Sequence, residues 1–100
     1  MSLPLESLDY ETFAPLTGEV FTVTVGDVPV ELRLAEVKKL GHRRTEATRD
    51  PFSISFLGAQ GLRLPQAIYP ISNATFGTAE IFIAQVGDGA KGAEFEAIFT

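Results

Sequence analysis

The chain of 100 residues suits one domain, and its composition, 45% apolar with eight Phe, is enough to fill one core without a metal or covalent staple. With no Cys and one His, disulfides, thiolate metal sites and a multi-histidine metal centre within one chain are excluded. The net charge of −5 hides an asymmetry: Lys38 to Arg49 holds five of the eight basic residues and one acid, Glu46, for +4, leaving −9 elsewhere, a background that repels phosphate and argues against nucleic acid.

In chain order, "MSLPLESLDY" has no basic segment leading into an apolar one, and no run approaches the ~18 apolar residues of a membrane-spanning helix. The expectation is a cytoplasmic protein, a single domain over residues 1–100, with a flexible lead-in over residues 1–7. Asp9 can cap a helix, with Leu8 and Phe13 at the two positions of a hydrophobic staple and Gly18 at its close, while Pro15 keeps it short.

From Val20 the period becomes two. Phe21, Val23 and Val25 alternate with Val20, Thr22 and Thr24, as Val28, Val30, Leu32 and Leu34 do with Pro29, Glu31 and Arg33, and Gly26-Asp27 between the runs suits a two-residue primed turn. This predicts a hairpin over Val20 to Leu34. Parity slips after Leu34, where Ala35-Glu36 suits a bulge or strand end. Lys38 to Asp50 then reads as a connection, since Pro51 disfavours helical geometry at Asp50 and "FSISF" resumes alternation with Phe52, Ile54 and Phe56 on one face.

"LRLPQAIYPI" is an extended run broken by Pro65 and Pro70, each removing a ladder donor, and is placed at an edge. "TAEIFIAQV" and "AEFEAIFT" are two further strands joined through "GDGAKG". The core expected is Phe21, Val23, Leu32, Phe52, Ile54, Phe56, Ile81 and Phe99, with the choice between Phe82 and Ile83 open. The fold class is all-β: six to seven mostly antiparallel short strands with one short N-terminal helix, as a small, partly open β-barrel or a two-sheet sandwich. The barrel is preferred because a small chain gains most by removing strand edges.

Chemistry-bearing motifs are weak. "GDGAKG" matches the dinucleotide fingerprint by letters, but it opens a strand rather than a helix and reads as a hairpin turn, with Asp88 lacking the acidic companions of a calcium loop. Glu94 and Glu96 read as the solvent face opposite Phe95, Ala97 and Phe99. His42 has no orienting carboxylate or nucleophile beside it, and the Asn73-Ala74-Thr75 sequon reads as turn chemistry. Gln66 and Tyr69 are weak ligand candidates, an amide and a phenol beside apolar neighbours.

The order "FAPLTGEVFTV", "VELRLAEVKKL", "DPFSISFLG", "LPQAIYPI", "AEIFIAQVG" and "EFEAIFT" resembles a family of small bacterial proteins catalogued only as a domain of unknown function. The resemblance runs from about Phe13 to the end, and Ala67 stands where "LPQGxY" relatives carry glycine. It implies a compact bacterial β domain with relatives encoded near phage-tail-collar-like proteins, and it transfers no catalytic residue.

Two functions follow as expectations. The first is a non-catalytic structural or protein-interaction module with a protein partner or a second copy, docking through Lys38, Lys39, His42, Arg43, Arg44 and Arg49. The second is a barrel whose mouth accepts an apolar or anionic small molecule. No cofactor, catalytic group, nucleic acid or membrane partner is expected.

Overall fold

In a computed structural model, which describes residues 3–41 and 49–100, six antiparallel strands close into a barrel. The strands are β1 (Val20–Val25), β2 (Val28–Lys39), β3 (Phe52–Gly58), β4 (Ala67–Asn73), β5 (Gly77–Gly89) and β6 (Gly92–Phe99). They lie in the order β1-β2-β3-β6-β5-β4, and β4 returns to β1. Of the two architectures expected, the barrel forms, and it is closed rather than partly open.

The β1–β2 hairpin pairs Val25 with Val28 across Gly26-Asp27. Gly26 has φ 62 and, among the described residues, no non-glycine residue has positive φ, so only the first turn residue is left-handed, the type II′ pattern that matches strand twist. The register of β2 against β3 shifts between Leu34 and Glu36, so of the bulge or strand end that the parity slip suits, the bulge forms, at Ala35.

The run around Pro70 corrects the expected edge. β4 pairs along its whole length with β5, Ala67 with Ile83 through Asn73 with Gly77, and also with β1 at Thr22–Ser72 and Val23–Ile71. That second ladder begins immediately after Pro70, so the missing N–H shortens the closing seam without opening the barrel. Beyond Ser72 a side chain takes over, with Asn73 Nδ2 donating to the Val20 carbonyl at 3.0 Å.

Inward-facing residues of every strand meet in one core. All eight core expectations are buried, and of the open pair Ile83 points in while Phe82 is exposed. Aromatic rings fill the middle: Phe21 meets Phe56 edge-on at 5.5 Å, and Phe52 and Phe99 stack at 4.6 Å between centroids.

One barrel end is sealed by the N-terminal segment. Helix α1 (Tyr10–Phe13) is capped by Asp9, whose side chain accepts from the Thr12 N–H while the Thr12 hydroxyl accepts from the Asp9 N–H. The cap aims fully buried Phe13 into the barrel mouth, within 5.2–6.5 Å of Phe21, Phe52, Phe76 and Phe99. Ahead of the helix, the Leu3 N–H donates to the Thr78 carbonyl at 2.7 Å, and Leu5–Ser7 forms a 3-10 turn.

The other end is covered by the segment between β3 and β4. Leu64 is buried, and Leu62 packs close enough to Leu32 that a Cβ on Gly58 would lie 2.7–2.8 Å from both. Gln85 serves as a side-chain rung, accepting from the Leu64 N–H at 3.1 Å and donating to the Leu62 carbonyl at 2.9 Å. A second bulge, between Gln85 and Gly87, lies beside that rung and leaves Val86 exposed.

Candidate interaction surface

The basic residues divide into groups with different work. Lys38 and Lys39 lie exposed at the end of β2, and the Lys39 ammonium sits 4.9 Å from the centre of the Tyr10 ring. Arg49 is occupied in a way its sequence context does not announce. Its Nη1 donates to the carbonyls of Leu5 and Leu8, each at 2.6 Å, and its guanidinium lies 5.3 Å from the Phe99 ring and 5.9 Å from Phe52. Arg49 therefore clasps the N-terminal segment to the barrel mouth. His42, Arg43 and Arg44 lie outside the described residues.

The weak ligand candidates do not converge. Gln66 is exposed, whereas Tyr69 is a core residue whose hydroxyl donates to the Pro65 carbonyl. "GDGAKG" is the β5–β6 turn, with Gly89 paired to Gly92, so the loop opens a strand and offers no helix terminus to a pyrophosphate. Asp88 is held by the Arg63 guanidinium at 2.9 Å and accepts from the Gly61 N–H at 3.1 Å. Among the described residues, no group of three or more His, Asp or Glu could hold a metal ion.

The unusual surface is one that residue type alone did not flag. Ile68 of β4 and Phe82 of β5 are register partners and both face outward. The β5–β6 ladder runs as far as Ala84–Glu96, and its register carried two residues further sets Ile98 of β6 level with Phe82 of β5. These three side chains are 63%, 53% and 61% exposed, forming an apolar row across three neighbouring strands. Scattered exposed apolar residues are ordinary; a contiguous row is not.

The row is framed by acid. Glu80 precedes Phe82 by two residues on the same face, Glu96 precedes Ile98 by two, and Glu94 follows along β6. β4, β5 and β6 contain no Lys or Arg, whereas the outer face of β2 mixes Glu31, Arg33, Glu36 and Lys38. The signal available in sequence was the triplet Ile81-Phe82-Ile83: in a strand of period two one member must face out.

Shallow depressions lie elsewhere. One of about 490 Å³ follows the β1–β4 seam beside Thr22, Ser72 and Asn73, and one of about 170 Å³ lies by Tyr10, Lys39 and Arg49. No helix among the described residues is long and apolar enough to cross a membrane.

No curated protein and no solved structure matches the chain. A family model described as a domain of unknown function does match, over residues 8–99, and the chain belongs to that family, DUF6916.

Proposed function

We propose that the domain is a non-catalytic protein-interaction module that works through its outer wall, an accessory within a larger assembly, a tail-like one being the case that the sequence resemblance favours, and that it acts in the cytoplasm. The observation that carries this reading is the exposed Ile68–Phe82–Ile98 row, because apolar side chains grouped on a barrel wall gain stabilisation only when something covers them. The ligand-binding alternative has less support, since both barrel ends are covered and the interior is filled by Phe13, Phe21, Phe52, Phe56, Phe95 and Phe99.

The test is photo-crosslinking in the cells that make the protein, with a crosslinking side chain at position 82 or, on the opposite wall, at position 31. A discrete adduct from position 82 and none from position 31 supports the reading. Equal labelling from both positions, or none from either, removes it.

A further inference from the structure

The apolar row is too small to be a contact between two copies. Three strands about 4.8 Å apart make a strip about 10 Å wide, and the stretch from Glu80 to Val86 is about 20 Å long. A stable protein pair buries about 800 Å² per partner, several times this strip, and two convex barrel walls meet along a line. Charge opposes self-pairing as well: copies meeting wall to wall would present Glu80, Glu94 and Glu96 to the same three carboxylates with no cation on either strip. An anionic lipid surface is disfavoured for the same reason.

What fits a strip about 10 Å wide is one secondary-structure element, and an α-helix is about 10 Å across. Apolar contact along the centre requires an apolar face on it, and the framing carboxylates require Lys or Arg on its flanks. Resting on the interaction reading above, we propose that the β4–β5–β6 wall docks a basic amphipathic helix of another protein, with Phe82 as central anchor and Glu80 and Glu96 as its charge partners. The specificity lies in the acids. The row alone would accept any apolar helix, and Glu80 and Glu96 repel those with acidic flanks.

The probe is a synthetic amphipathic peptide of five helical turns with Leu along one face and Lys on both flanks. A Glu-for-Lys version and a Lys version with the Leu face replaced by Ser serve as comparisons. Binding to the full chain is followed by amide chemical shifts and fluorescence anisotropy. The Lys–Leu peptide is expected to bind with shifts on outward positions of β4, β5 and β6. It should weaken about tenfold or more with Phe82→Ser, and markedly with Glu80→Lys plus Glu96→Lys and with added salt. All three side chains are outward, and unchanged circular dichroism verifies that the variants fold.

Binding of the Glu–Leu peptide at least as tightly to this wall overturns the proposed charge while leaving an interaction surface. Self-association in sedimentation that Phe82→Ser abolishes, with no peptide bound, overturns the helical partner in favour of a second copy. Binding of the Lys–Leu peptide that Phe82→Ser leaves unchanged places the contact elsewhere and overturns the site. If no peptide binds and position 82 yields no cross-linked adduct, the interaction reading falls too.

Discussion

The two ends of the barrel face the same problem and solve it differently. A barrel has no edges along its wall, but each mouth exposes apolar side chains and backbone groups that must be covered. At the end near Phe13 the cover is chiefly aromatic, with one plug ring among four barrel rings and two charge-assisted hydrogen bonds from Arg49 holding the plug down. At the end near Leu62 the cover is mixed, and amide side chains do much of the binding. Gln85 bridges Leu62 and Leu64, and Gln60 Nε2 donates to the carbonyls of Gly89 and Ala90 at 3.3 and 3.1 Å. The first end therefore depends on volume, the second on hydrogen-bond geometry and close backbone approach.

The sharpest test of that contrast is at the second end. Gly92 has φ 127 and a Cβ there would lie 2.1 Å from the Gly58 carbonyl oxygen, a contact with rigid backbone. Gly92→Ala should cost more than about 4 kcal/mol, enough to leave little folded protein, as measured by circular dichroism of the purified variant. A folded Gly92→Ala protein with near-normal Tm would show that this hairpin is not held against the β3 end.

Phe13→Ala comes next. Emptying a fully buried ring site should cost about 3–5 kcal/mol, measured by urea denaturation, while Phe13→Leu recovers much of it because the first end responds to volume. At the second end, Gln85→Ala leaves the Leu64 N–H and the Leu62 carbonyl without this partner, at about 1–3 kcal/mol, and Gln85→Leu, which restores volume only, should not rescue it. Rescue by Leu would make both ends alike.

The smallest effect is expected for Asp88→Asn. The Arg63 side of the ion pair is largely exposed, so its loss should change stability by about 0–1 kcal/mol, and adding salt to the wild-type protein should reproduce part of the change. A loss of several kcal/mol would mean that the Arg63–Asp88 pair contributes far more than an exposed ion pair does.

Arg49 shows how little of a side chain's tertiary contacts composition records. In sequence it is one of five cations in a connection, indistinguishable from Arg43 or Arg44. Its work is set by the carbonyls of Leu5 and Leu8, 44 and 41 residues away, and by two rings from separate strands. No local pattern encodes those neighbours. The outer row has the same character: Ile68, Phe82 and Ile98 are unremarkable apolar residues in three segments until strand pairing places them side by side.

What the sequence determined by itself is local. The primed turn at Gly26-Asp27, the break in alternation at Ala35-Glu36, the Asp9 cap and the inward set of Phe21, Val23, Leu32, Phe52, Ile54 and Phe56 rest on period, parity and turn chemistry, which operate within a few residues. Tertiary structure decided the rest: that β4 closes on β1 despite Pro70, that Ile83 rather than Phe82 faces in, that Arg49 is a clasp, and that one wall is apolar and acidic. These depend on which strands become neighbours and in what register, and that choice is made by the summed burial of all six inward faces at once, a quantity no single segment contains.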